Sequence, residues 1–104
     1  MAPMNSQFLS ELGEWHKGRR EWEPAFALFE KALDAAAVSP AELRDRRRGR
    51  ALRGLGFIRI EQGRLDDAED FFRKALKIDA NDEKAQAELQ YIREQRARLK
   101  GRTS

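Results

Sequence analysis

Small and hydrophobic residues recur along the chain at helical spacing, and the same pattern occurs twice at an offset of 43 residues. In each copy, two leucines and a glycine share one helical face, where the glycine lets a second helix approach closely. They are Leu9, Leu12 and Gly13 in the first copy and Leu52, Leu55 and Gly56 in the second. The second helix of each copy sets small residues beside a phenylalanine, at Ala25, Phe29, Ala32 and Leu33 and again at Ala68, Phe72, Ala75 and Leu76. The pattern therefore predicts two helical hairpins, which turn near Gly18 and Gly63.

The segment between the two copies carries its own helix-start signals. Ser39 and Glu42 have the spacing of a capping box, and Pro40 suits the first position of a helix. The sequence therefore predicts one long helix from about Pro40 to Gln62. Gly49 is its weakest position, because a glycine inside a helix costs up to ~1 kcal/mol.

The last segment predicts a single helix without a partner. Its apolar residues share one helical face and are Ala85, Leu89, Ile92 and Leu99. We expect this helix to cover the apolar end of the second hairpin, and residues 101–104 to form a disordered tail. The predicted architecture is all-α, with five antiparallel helices arranged as two hairpins plus a cap in one domain.

These motifs resemble the tetratricopeptide repeat (TPR). Each copy has a Leu-Gly pair followed by Phe-x-x-Ala-Leu, and Asp-Ala-Asn at residues 79–81 stands where the family usually has Asp-Pro-Asn. The family repeats every ~34 residues, so the larger offset here implies an insertion. The resemblance divides the chain into a first TPR-like repeat at residues 6–39, an N-terminal extension of the next helix at 40–48, a second repeat at 49–82 and a capping helix at 83–100. The first repeat departs more from the family, and its second helix is expected to begin at Pro24.

The resemblance implies a TPR-like helical-hairpin solenoid that acts as a protein–protein interaction module and not as an enzyme. In the family, the first helix of each repeat lines a concave groove that binds peptides. The residues expected to line this groove are Glu14, Lys17, Arg46, Arg50, Arg53, Phe57, Ile60, Glu61 and Tyr91. The arginines would attract an acidic partner segment, because a guanidinium can donate two hydrogen bonds to one carboxylate. Phe57, Ile60 and Tyr91 would add apolar contact, while Glu14 and Glu61 would repel acidic side chains from the wrong positions.

The charge pattern leaves other functions open. Charged residues make up 38% of the chain, the net charge is +3, and the stretch from Leu43 to Leu52, LRDRRRGRAL, holds five arginines. A solvated helix face and a surface for a second copy of the chain are both compatible with that stretch, so a small structural homo-oligomer is the alternative function. Nucleic-acid binding is disfavoured, because the rest of the chain is nearly neutral and has no RNA-binding motif. If the groove is the functional site, reversing the charges of Arg50 and Arg53 should leave the helices intact and abolish partner binding.

Residue content argues against catalysis, metals and cofactors. The chain has no cysteine, and its only histidine, His16, falls within the packed part of the first hairpin. The acidic pairs Asp66–Asp67 and Asp79–Asp82 lie at helix starts, where carboxylates cap free N–H groups. Trp15 and Trp22 are expected to close the first hairpin, with Trp22 alternatively an exposed anchor for another subunit.

The sequence does not indicate a membrane or secretory segment. No apolar run approaches the ~20 residues that cross a bilayer. The N-terminus lacks a basic region followed by an apolar core. We therefore expect no membrane partner and a cytoplasmic location.

Overall fold

The computed structural model describes residues 5–103, and every regular element within that range is an α-helix. In chain order the helices are α1 (Ser6–Gly18), α2 (Trp22–Ala36), α3 (Ala41–Glu61), α4 (Leu65–Ile78) and α5 (Glu83–Thr103). α1 and α2 form one hairpin, α3 and α4 form a second, and α5 packs on both α4 and α3. The predicted all-α fold of two hairpins and a cap is confirmed.

α3 is the central element of the molecule, since it contacts each of the other four helices. It runs without interruption for 21 residues, so the residues inserted between the two repeats are helical. α1, α3 and α5 border a shared cleft on one face of the molecule. α2 and α4 are the second helices of the two hairpins and lie behind this face.

Two phenylalanines fill the spaces that glycines leave open. The Phe29 ring lies between α1 and α3, where a Cβ added to Gly13 would lie 2.9 Å from it and one added to Gly54 would lie 2.5 Å from it. A Cβ added to Gly56 would lie 2.6 Å from the Phe72 ring. Both rings are fully buried, so the helices reach these distances only because the glycines lack side chains. The sequence predicted close approach at Gly13 and Gly56 but not at Gly54.

The two hairpin turns share a backbone geometry but differ in the residue at the left-handed position. In the first turn the Arg20 N–H donates to the Lys17 carbonyl at 2.9 Å, and Arg20 has a φ of 60°. In the second turn the Gly63 N–H donates to the Ile60 carbonyl at 2.9 Å, and Gly63 has a φ of 75°. Both are Schellman-type helix ends. Gly18, expected to mark the first turn, is instead the last residue of α1.

α2 and α5 are both longer than the sequence predicted. α2 begins at Trp22 and not at Pro24, because a proline is tolerated within the first turn, where N–H groups have no partner inside the helix. α5 runs to Thr103, beyond the predicted end at Lys100, while Ser104 lies outside the described residues. On the predicted apolar face of α5, Ala85, Leu89 and Ile92 are buried, whereas Leu99 is exposed.

The start of α3 lacks the predicted capping box. Pro40 is the N-cap residue, and no side chain caps the helix. The Ser39 hydroxyl instead donates to the Ala35 carbonyl at the end of α2 (3.3 Å) and accepts a hydrogen bond from Arg47 (3.2 Å). These bonds use the hydroxyl within the turn, so it does not serve the free N–H groups of α3.

The first hairpin is closed by Trp22 and not by Trp15. Trp22 is half-buried and packs against the cluster that contains Phe29. Trp15 keeps 57% of its surface exposed, with its ring against His16 and the Arg19 guanidinium 4.7 Å from the ring centroid. The expectation for Trp15 was wrong, because no other helix covers its face of α1.

Candidate partner-binding groove

The helices α1, α3 and α5 border a cleft of about 670 Å³, which we call the groove. It is lined by Glu14 and Lys17 of α1, by Arg50, Arg53, Gly54 and Phe57 of α3, by Phe72 of α4, and by Lys84, Ala87 and Glu88 of α5. The groove therefore combines cationic, anionic and aromatic side chains from four helices.

The structure brings together some of the residues that the sequence assigned to the groove and separates others. Those that line it are Glu14, Lys17, Arg50, Arg53 and Phe57. Arg46 borders a neighbouring cleft, and Ile60 is half-buried against the apolar cluster between α3, α4 and α5. Glu61 and Tyr91 are exposed and lie outside the lining. Glu88 was not expected, although the family period of ~34 residues places it opposite Gly54.

Arg53 is held by an ion pair within the chain. Its Nη1 atom donates to Asp82 Oδ2 at 2.6 Å, and the Asp82 side chain is buried. The other oxygen of Asp82 accepts a hydrogen bond from the Ala85 N–H (3.1 Å), so the predicted role of Asp82 as a helix cap is confirmed. Arg53 therefore joins α3 to the first turn of α5. Reversing its charge would place two carboxylates side by side, so we now expect Arg53→Glu to destabilise the fold and not to leave it intact.

Lys17 covers the aromatic surface of the groove. Its Nζ atom lies 4.4 Å from the centroid of the Phe57 ring and 2.8 Å from Glu14 Oε2. Glu14 neutralises the ammonium charge of Lys17, and the face of the Phe57 ring attracts the same ammonium through a cation–π interaction. Both contacts are at a half-buried surface, where such pairs contribute little individually. Lys17 is therefore held over Phe57 only weakly.

Arg50 and Lys84 are the unpaired cations of the groove. Within residues 5–101, neither side chain has a carboxylate within ion-pair distance. Arg50 is half-buried and lies one turn before Arg53, while Lys84 lies in the first turn of α5, two residues after Asp82. The Arg53–Asp82 contact therefore brings the two cations to the same end of the groove.

At its other end the groove is lined by Glu88, and the exposed Glu61 lies next to this end, outside the lining. Burial raises the pKa of Glu88, the nearby Glu61 carboxylate raises it further, and the Lys17 ammonium opposes both effects. Glu61 and Glu88 thus lie close enough to repel one another, at the end of α3 opposite to Arg50. Among the described residues, neither carboxylate forms an ion pair within 4 Å.

Most of the arginine-rich stretch is engaged within the chain. Arg44 donates to the Ser39 carbonyl (3.3 Å), and Arg47 donates to the Ser39 hydroxyl. Arg48 lies 3.9 Å from Asp45 on the same helix. The two contacts with Ser39 tie the start of α3 to the preceding turn, so the stretch is largely a solvated and locally paired helix face.

No part of the described structure resembles a metal centre, since residues 5–103 contain no group of three His, Asp or Glu side chains that could hold an ion. His16 Nδ1 lies 3.1 Å from Glu21 Oε1, and this hydrogen bond is the main cause of the lowered pKa of Glu21. His16 therefore bridges the end of α1 and the first turn. None of the helices between residues 5 and 103 is long and apolar enough to cross a membrane.

The family follows from the repeat pattern and the fold. The family model for the tetratricopeptide repeat matches residues 6–81, which span α1 to α4, and the chain belongs to this family. A comparison with curated proteins found no match. TPR domains are generally protein–protein interaction modules and are typically non-enzymatic. The groove lies where the first helices of successive repeats stand side by side.

Proposed function

We propose that the chain binds an extended segment of a partner protein in the groove and receives an acidic side chain of that segment between Arg50 and Lys84. The observation that carries this proposal is the presence of two unpaired cations at one end of a groove that also holds an aromatic ring. A carboxylate placed there accepts charge-assisted hydrogen bonds, which contribute ~1.5–3 kcal/mol when shielded from water and less at the exposed Lys84.

The groove residues have different roles in the proposed contact. Arg50 donates through its planar guanidinium, whereas Lys84 acts as a compact charge on a flexible stem. Phe57 supplies apolar surface once Lys17 moves aside. Arg53 fixes the wall through Asp82 and is not counted among the partner-binding residues.

The test uses a library of random peptides of about ten residues displayed on phage and selected on the wild-type chain. Arg50→Glu with Lys84→Glu should lower the affinity of the selected peptides by at least about tenfold, because two attractive contacts become repulsive. Lys31→Glu with Lys77→Glu is the matched control, since it makes the same change in net charge on the exposed surfaces of α2 and α4. Circular dichroism should show unchanged helix content in both variants. Peptides that bind the Arg50 and Lys84 variant as tightly as the wild type would contradict the proposal.

The alternative is self-assembly through the arginine-bearing helix, and the exposed Arg46 favours it. Light scattering over a range of protein and salt concentrations separates the two functions. A mass that stays at 12.0 kDa leaves the groove available to a different protein. A dimer that dissociates in an Arg46→Glu variant would favour the structural alternative.

A further inference from the structure

We infer that the groove fixes the direction in which a segment binds, because its two ends carry opposite charge. This inference rests on the proposed function. The segment places an acidic side chain at the Arg50 and Lys84 end and a basic side chain at the Glu61 and Glu88 end. The partner is therefore a segment with both charges in a set order, and not a uniformly acidic one.

The polarity becomes visible once the internally paired residues are set aside. Asp82 neutralises Arg53 at 2.6 Å, and Glu14 neutralises Lys17 at 2.8 Å. The charges that remain are cationic near the start of α5 and anionic near the end of α3. A segment with a single acidic group would satisfy only the first of these two ends.

The two carboxylates of the anionic end share one cation, Lys17, which attracts Glu88 more strongly than Glu61 repels it. Glu88 is half-buried in the groove and is repelled by Glu61. The Lys17 ammonium is already within ion-pair distance of Glu14 and over the Phe57 ring, so its charge is shared among these groups. A basic side chain delivered by the partner would relieve the repulsion between Glu61 and Glu88.

Helix geometry sets the spacing of the two charges in the partner. Arg50 and Glu61 are about 16 Å apart along the axis of α3, at ~1.5 Å per residue. Lys84 and Glu88 are one turn apart on α5, or about 6 Å. An extended segment advances ~3.3 Å per residue. The acidic and basic side chains should therefore be separated by about two to five residues.

The first arm of the test examines the peptides selected on the wild-type chain. They should carry an acidic and a basic residue about two to five positions apart, in the same order in most sequences. One selected peptide is then synthesised as the original, with its acidic residue made neutral, with its basic residue made neutral, and with the two residues exchanged. The exchanged peptide should bind the wild type about tenfold more weakly than the original.

The second arm uses variants of the groove. Glu61→Gln with Glu88→Gln should abolish the difference between the original peptide and the one with a neutral basic residue. Glu30→Gln with Glu42→Gln removes the same charge from exposed positions and should leave that difference unchanged. A groove with all four charges reversed, Arg50→Glu, Lys84→Glu, Glu61→Lys and Glu88→Lys, should prefer the exchanged peptide.

The outcomes separate this inference from the proposed function. If Arg50→Glu with Lys84→Glu abolishes binding while Glu61→Gln with Glu88→Gln changes nothing, the groove binds an acidic segment and the directional inference is overturned. Selected peptides that carry acidic residues alone would overturn it in the same way. If neither pair of substitutions alters affinity, both the inference and the proposed function fail.

Discussion

The two hairpin turns share two backbone hydrogen bonds but differ in the residue that occupies the left-handed position. Arg20 and Gly63 both follow a helix end, and both adopt a positive φ. For a residue with a Cβ this conformation costs ~1–2 kcal/mol, whereas glycine adopts it freely. Arg20 is exposed, so its side chain contributes little packing that would offset the cost.

Arg20→Gly should therefore stabilise the chain by about 1 kcal/mol, which raises the Tm by roughly 4–8 °C for a domain of this size. Gly63→Ala provides the opposite change at the equivalent position and should lower the Tm by a similar amount. Thermal unfolding followed by circular dichroism measures both. A lower Tm for Arg20→Gly would mean that the Arg20 side chain stabilises the turn more than its backbone conformation costs.

At the scale of the helices, the distance between neighbouring helices depends on which glycines face an aromatic ring. Gly13 faces Phe29 within the first hairpin, whereas Gly54 meets the same ring from the next hairpin. Gly18 also lies in a helix, but an added Cβ there has nothing within 4 Å. The three positions are the same residue type with different packing requirements.

Gly54→Ala should destabilise the chain by ~1–3 kcal/mol, because the new methyl group overlaps the buried Phe29 ring and forces α3 to shift. Gly18→Ala is the control and should stabilise by up to ~1 kcal/mol through helix propensity alone. Chemical denaturation of the two variants and the wild type gives the free energies of unfolding. Equal stability of Gly54→Ala and the wild type would show that α3 can move without cost.

The helices and their order were predictable because their signals are local. The Leu-Gly and Phe-x-x-Ala-Leu motifs lie within single helices, and the long α3 follows from the missing break between residues 40 and 62. The close approach at Gly54 was not predicted, because the alignment of the two repeats places Gly54 opposite Glu11. The first repeat therefore has no glycine at the equivalent position. The periodic pattern identifies the contacts within a hairpin better than those between hairpins.

The groove was predictable only in part, because its electrostatics depend on pairs that are remote in the chain. Arg53 and Asp82 lie 29 positions apart, and the sequence assigned one to the partner and the other to a helix cap. Lys17 and Phe57 come from different repeats, and their contact likewise has no local signal. The charged side chains that remain available to a partner can be identified only once these ion pairs and contacts are known.

At the scale of the whole molecule, α5 is held to the repeats by apolar packing, by one ion pair at its start and by others in its second half. Leu89 and Ile92 belong to the cluster shared with α3 and α4. Asp82 pairs with Arg53 at one end, and Arg96 pairs with Asp66 and with Glu69 (3.2 Å) further along. Since α5 supplies Lys84 and Glu88, its position determines the shape of the groove.

Asp82→Ala should lower the free energy of unfolding by about 2 kcal/mol, because it removes the α5 cap and leaves Arg53 without its partner. Asp82→Asn should lose less, since its remaining oxygen can still accept from the Ala85 N–H. Urea denaturation measures the stabilities, and amide hydrogen exchange should show faster exchange at the start of α5. An unchanged midpoint for Asp82→Ala would mean that apolar packing alone holds α5 in place.

The ring of Phe29 also constrains how the chain can vary between species. Because one side chain fills the gap left by Gly13 and Gly54, a change at any of these three positions alters the room available to the other two. Homologous chains with a side chain at position 54 should therefore carry a smaller residue at position 29. The residues at the three positions should therefore covary among homologous chains, although they lie on three different helices.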